Sequence, residues 1–200
     1  MMKLLALLIP TSIVAVAVIS TMTARASTAS GSSACGVERW AVKTLTDGAA
    51  RTINFTPRPT TVDRLRASPA PAVGPYTLRR RGAERTVYRV RGRLVEMKVE
   101  DDRDVHLVIA SPTSATHTMI AEFPSSTCTH GATAAARAEM SRARRSLYRA
   151  CGRASTDWQR LSGTATIDGV GFFDVRHGQT GVAPNGIELH PALRFVARGC

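Results

Sequence analysis

Two short stretches of the chain concentrate side chains that can move protons or hold cations. The first is Asp101-Asp102-Arg103-Asp104-Val105-His106, which offers carboxylates at Asp102 and Asp104 and an imidazole at His106. The second runs from Asp174 through His177, Asn185 and Glu188 to His190. Imidazoles and carboxylates together supply the nitrogen and oxygen ligands of divalent cations, and such a cation can polarise a phosphate and activate water. The candidate binding set is therefore Asp102, Asp104, His106, Asp174, His177, Asn185, Glu188 and His190, with His106, His177 and His190 as candidate catalytic groups. Spacing alone assigns no metal-ligand set and no cofactor. The chain carries no P-loop, HExxH or GxSxG pattern. His177, Asn185 and His190 match an HNH nuclease only in their letters, because Ile187 to Val196 alternates as one strand. The same residues also admit an ordinary reading. Asp101 to Asp104 makes a polar hairpin turn, Gly178 to Gly181 a glycine-bounded loop, and Glu188 and His190 the outward positions of a strand. His117 and His130 sit in polar, loop-like surroundings and read as solvated.

The elements that must position these residues are legible from Thr86 onward. Tyr88, Val90, Gly92 and Leu94 alternate with Arg89, Arg91 and Arg93; the phase then flips, and Val95, Met97 and Val99 become the apolar set. An alternating strand that changes phase beside a glycine predicts a bulge or sharp bend. Strands at Val105–Ala110 and Thr118–Phe123 follow, then a helix over Gly131–Ala150 with an apolar stripe of Ala136, Met140, Ala143, Leu147 and Ala150. Two more strands are predicted at Gly163–Asp174 and Ile187–Val196. A long bent strand, two strands, a helix and two strands is the element order of the five-stranded OB-fold, a Greek-key barrel with its helix between strands three and four. In that fold the loops after the first and fourth strands share one rim, so the two polar stretches are expected to converge.

Upstream, residues 35–75 read as an irregular section with an extended piece at Trp40–Thr44 and a short helix at Val62–Ala67, which Thr61 could cap. Ala67–Pro75 is a proline-rich connector leading to the basic run Arg79-Arg80-Arg81. At the start, Met1-Met2-Lys3, the apolar run Leu4–Ile19 and the small-x-small site Ala24-Arg25-Ala26 predict a cleaved secretory signal. The organisation expected is thus a signal peptide at 1–26, a lead-in, irregular section and connector at 27–85, and a barrel at 86–200. No membrane span is expected after cleavage, and the exported chain is taken as a monomer.

The chain has 27 basic against 15 acidic residues in its 200, a net charge of +12, and only Lys3, Lys43 and Lys98 are lysines. Such an excess suits an acidic partner such as nucleic acid, another polyanion or an anionic envelope surface. The arginines of the predicted helix, Arg142, Arg144, Arg145 and Arg149, are the candidate polyanion contacts. Aromatics are 5% of the chain, and the second and third strands offer none outward on which bases could stack. Arginine, alanine, glycine and proline also share GC-rich codons, so the excess has a genomic reading too.

Three stretches, CGVERWAVKT at Cys35–Thr44, KVEDDRDVHLVI at Lys98–Ile109 and GFFDVRHGQTGVAPNGIELHP at Gly171–Pro191, resemble a family of secreted bacterial proteins. The resemblance spans nearly all of the exported chain. It implies an OB-like barrel and export, and lends no reaction, because the family has no established activity. Cys151 and Cys200 are additions to the family's pattern.

Cys35, Cys128, Cys151 and Cys200 all fall in the exported part, an even count that predicts two disulfides. The predicted helix, at ~1.5 Å per residue, holds Cys128 and Cys151 about 30 Å apart and excludes that pair; residue geometry leaves the other two pairings open. The resemblance favours Cys35–Cys128 with Cys151–Cys200, since family members with two cysteines keep those matching Cys35 and Cys128.

The function these residues lead one to expect is a secreted, disulfide-stabilised, non-catalytic binding module for an acidic polymer or envelope component. The alternatives are a metal-dependent phosphodiesterase or nuclease using the His/Asp/Glu rim, and a structural protein of the cell envelope.

Overall fold

The computed structural model describes residues 35–200. The expected signal peptide at 1–26 and the lead-in at 27–34 lie outside the described residues. The fold is mainly β. Seven strands form one mixed sheet: β1 (Asn54–Thr60), β2 (Thr86–Val99), β3 (Val105–Ser111), β4 (Ser114–Phe123), β5 (Gln159–Arg160), β6 (Thr164–Phe173) and β7 (Ile187–Arg198). The order is β1-β2-β3-β4-β7-β6, and β6 pairs back onto β2, so five strands close into a ring. The last strand runs parallel to β4 and antiparallel to β6.

The long strand β2 makes the closure possible because it serves two partners. Residues Val87 to Arg93 pair with β6, and Arg93 to Val99 pair with β3. The register slips between Leu94 and Glu96, where the sequence changes phase. Gly92 sits at the crossing, where an added Cβ would lie 3.1 Å from the Ala110 carbonyl and the Ile109 side chain. Val90, Leu107, Ile109, Met119, Phe123, Ile167, Ile187 and Leu189 fill the interior.

Three helices support the ring: α1 (Trp40–Lys43), α2 (Val62–Arg66) and α3 (Ala134–Cys151). Of the expected α3 stripe, Ala136, Met140, Ala143 and Leu147 are buried, as the 3.6-residue period requires, whereas Ala150 in the last turn is exposed. Thr133 caps its first turn by accepting from Ala136 N, and Gly152 at φ 82° ends it. Thr61 caps α2 in the same way, accepting from Arg64 N at 3.1 Å.

Two expectations about the N-terminal section are corrected. Trp40–Lys43 is helical, not extended, and Thr44 caps its end. Thr44 Oγ1 donates to Trp40 O at 2.8 Å, and four residues of helix suffice to bury Val42 and turn Lys43 to the other side. The section is also less irregular than its composition implies, for Asn54–Thr60 is a strand despite Pro57 and Pro59. It lies at the end of the sheet order and pairs in parallel with β2, and an edge position is where proline is tolerated. Val62 and Leu65 of α2 then reach the main core, so residues upstream of Thr86 are part of the same packed body.

Cys35–Cys128 and Cys151–Cys200 are the two disulfides, with Cα separations of 5.6 and 5.1 Å. The first ties the approach to α1 to the segment before α3, and the second holds the end of β7 to the end of α3. No helix among the described residues is long and apolar enough to cross a membrane.

Candidate cation site

Strand pairing assembles the site. In the β3–β4 ladder His106 stands opposite Glu122, and in the β2–β3 ladder it stands opposite Lys98. The parallel pairing of β4 with β7 matches Ile120 to Glu188 and so carries Glu122 towards His190. These side chains leave the ring on its outer face, away from Leu107 and Ala121. They are nevertheless buried, His106 and His190 each to 1% exposure, because α1 and the loop after β6 fold over them. Gly181 lets that loop lie close: its φ is 80°, and a Cβ there would be 2.5 Å from Val108.

The cover leaves a cleft of about 180 Å³ lined by six carboxylates, three imidazoles and Lys43. Of the residues expected from the sequence, Asp102, His106, Asp174, His177, Glu188 and His190 line it. Asp104 lies behind it, 1% exposed, with Oδ1 accepting from Ser125 N and Oδ2 3.4 Å from His190 Nε2. Asn185 does not join them. Its amide donates to Leu65 O and Ser68 O at 2.8 and 2.9 Å, and its oxygen accepts from Ile187 N, so it ties α2 to the start of β7. Five polar lining residues were not among the sequence candidates: Glu38, Lys43, Glu100, Glu122 and Gln179. Both exposed histidines set aside earlier stay outside; His117 lies 2.6 Å from Asp63 on the surface.

His106 is the best-defined member. Its Nε2 lies 2.9 Å from Thr180 O, and because a carbonyl can only accept, Nε2 carries a proton. Nδ1 then faces two carboxylates, 2.9 Å from Glu122 Oε1 and 3.3 Å from Glu100 Oε1. Neither oxygen lies along the hydrogen-bonding direction, so Nδ1 is buried without an aligned partner. Glu100, His106 and Glu122 each offer one ligand atom, all within 4.8 Å of one another. Trp158 packs edge-on against the imidazole, the ring centres 5.3 Å apart.

His190 is stranger still. It is fully enclosed, yet both ring nitrogens lack an aligned partner; Asp104 Oδ2 is 3.4 Å from one and Glu188 Oε2 3.9 Å from the other. Glu122 Oε2 and Asp174 Oδ1 are likewise buried and unsatisfied. Unpaired buried polar atoms cost ~1–3 kcal/mol each, and this many in one cleft mark it as a place for ordered water or an ion.

Proton affinities follow the crowding. Burial disfavours the His106 imidazolium, but Glu122 and Glu100 outweigh it and push the ring up to about 11. Burial is likewise overcome at His190, where Asp104 and Glu188 raise it to about 9. Desolvation lifts Glu122 to about 7 and raises Glu188 and Asp102, while the neighbouring His106 imidazolium holds Glu100 down at about 2. Burial opposes charge on Lys43, but Asp174, Glu188 and Glu122 more than restore it. Lys43 Nζ is 3.5 Å from Asp174 Oδ2 and 5.5 Å from the centre of the Phe172 ring.

What aims Lys43 is a buried ion pair at the other end of its helix. Arg39, in the left-handed region at φ 49°, forks onto Glu84 at 2.7 and 2.8 Å and donates to Phe173 O. One turn later Lys43 hangs over the cleft.

No family model matches the chain, and no curated protein matches it. Among solved structures it is similar to a protein of Leishmania major classed provisionally as an aspartyl-tRNA synthetase, at 10% identity and a TM-score of 0.39. The match covers 73% of this chain and 21% of that one, and a likeness of that degree assigns neither fold nor function.

Proposed function

We propose that this protein is an exported, OB-like phosphodiester hydrolase that works with a divalent cation held by Glu100, His106 and Glu122. One observation carries the reading: His106 donates Nε2 to Thr180 O and presents Nδ1 between the carboxylates of Glu122 and Glu100, at 2.9 and 3.3 Å and with no aligned hydrogen bond. A metal-bound histidine characteristically donates its second nitrogen to such a partner. The ring closure, with α3 between its third and fourth strands, supports the OB-like description. Two disulfides and the N-terminal signal pattern support export.

A cleft rich in carboxylates repels a polyanion until a cation offsets it. The cation-dependent alternative therefore fits this site better than the non-catalytic binding module. The cation would polarise the phosphate and lower the pKa of a bound water. Lys43 is placed to attract a phosphate oxygen. His190, backed by Asp104 and Glu188, is placed to give a proton to the leaving oxygen.

The test is turnover of bis(p-nitrophenyl) phosphate and of a labelled oligonucleotide with Mg²⁺, Mn²⁺, Zn²⁺ or EDTA. Cation-dependent hydrolysis that falls at least 100-fold in His106→Ala and His190→Ala is expected. Binding of polyanions with no turnover under any metal would return the function to the binding module. Neither binding nor turnover would favour the envelope role.

A further inference from the structure

On the opposite flank of the ring the pairing of three strands builds a second, positively charged surface. Across β2, β6 and β7 the register sets Arg89, Asp168 and Arg194 in one row, Arg91, Thr166 and Val196 in the next, and Arg93, Thr164 and Arg198 in a third. Successive outward positions on one strand lie about 7 Å apart. The single carboxylate in this array, Asp168, is consumed: Arg89 grips it with two bonds of 2.7 Å, and Arg194 approaches it at 4.0 Å. Arg91 and Arg198 are exposed and have no ion-pair partner among the described residues.

Between the strands runs a groove of about 380 Å³ lined by Arg89, Arg91, Arg194 and Arg198 with the hydroxyls of Thr164 and Thr166, and by no carboxylate among the described residues. Through Arg194 and Val196 it continues into a cavity of about 400 Å³ beneath α3, where Phe55 and Arg142 stand with Glu139 and the arginine-paired Asp168. Phe55 is 46% exposed, a large aromatic left facing solvent beside an arginine track. The Cys151–Cys200 bond anchors the β7 end that carries Arg198.

We propose that this groove binds single-stranded nucleic acid, with phosphates on Arg91, Arg194 and Arg198 and a base against Phe55. Guanidinium forks and threonine hydroxyls suit phosphate oxygens. The strand spacing matches consecutive phosphates of an extended chain. One aromatic at the end of a basic groove is the arrangement that holds a base without reading its edge. The site is independent of the cation cleft and needs no metal. It also relocates the polyanion contact expected on α3. Of Arg142, Arg144, Arg145 and Arg149, none lines the groove and only Arg142 lines the adjoining cavity; Arg144 instead donates to Phe123 O at 2.8 Å and Arg149 to Ser146 at 3.1 Å.

Fluorescence anisotropy in EDTA, with labelled oligo(dT), duplex DNA and inorganic polyphosphate as separate probes, tests the assignment. Arg91→Gln/Arg198→Gln should weaken oligo(dT) binding at least 10-fold and flatten the salt dependence by about 1.4 in log–log slope. Phe55→Ala should weaken oligo(dT) several-fold and leave polyphosphate unchanged. Arg145→Gln, which lines a separate cavity with Arg144 and Tyr148 on another flank of α3, should change nothing beyond twofold. Thermal unfolding of each variant, expected to match the parent, separates lost contacts from lost folding. Unchanged oligo(dT) affinity in the groove variant would overturn the proposal, as would equal losses in the α3 control. An absent effect of Phe55→Ala would overturn the base contact and reduce the groove to a general polyanion track.

Discussion

Each of the two buried histidines holds a proton that the unfolded chain gives up earlier, and this sets the pH response of the metal-free protein. His106 at about 11 and His190 at about 9 lie above their ordinary 6.5, and Glu122 at about 7 lies above 4.5. For all three, the stabilising contribution is complete below the unfolded value and is lost as pH rises through the folded one. Glu100 works in the other sense, since at about 2 its contribution is present above 4.5 and lost as pH falls through 2. Thermal unfolding in EDTA should therefore peak at about pH 5 and decline steadily to pH 9; a Tm that climbs between pH 7 and 9 would contradict these environments. Glu122→Gln keeps the shape of the side chain and removes its charge, so cation affinity should fall at least tenfold by calorimetric titration while the melting temperature holds or rises. Part of this cluster was legible beforehand. His106 and the residues of the 174–190 stretch advertise themselves by type. Glu122 was not singled out, because pairing it with His106 requires counting back from the hairpin turn, and the β3–β4 register breaks at Ala110 and Ser111. Asn185 shows the converse failure, a residue of suitable chemistry whose amide serves two backbone carbonyls.

The element that most depends on tertiary structure is α1. Four residues have no helical stability of their own, and the alternation in Trp40–Thr44 reads equally well as a strand. Its position comes from Arg39, whose pairing with Glu84 lies 45 residues away and leaves no local mark in the sequence. Arg39→Met leaves Glu84 as an uncompensated buried charge and should cost about 3–5 kcal/mol by chemical denaturation. A loss below 1 kcal/mol would show that α1 is held by something else. By contrast, the strands from Thr86 onward and helix α3 are inscribed in their periodicities, because each has one face in the core and one in solvent. The strand β1 is not, since most of its residues are exposed and its prolines argue against pairing anywhere except an edge.

At the scale of the molecule, one closed ring carries two surfaces of opposite character: a carboxylate-lined cleft over β3, β4 and β7, and an arginine groove over β2, β6 and β7. Net charge alone, at +12, reports only the second and conceals the first. The proposed hydrolysis requires that the cleft hold a cation. Calorimetric titration of the EDTA-stripped protein with Mn²⁺ or Zn²⁺, repeated in two buffers of different ionisation enthalpy, measures this directly. The prediction is a single site with release of about one proton, because the ligand nitrogen of His106 must give up the proton it holds in the metal-free state, and loss of that site in His106→Ala. Absence of binding at millimolar cation, or binding that survives His106→Ala undiminished, would contradict it.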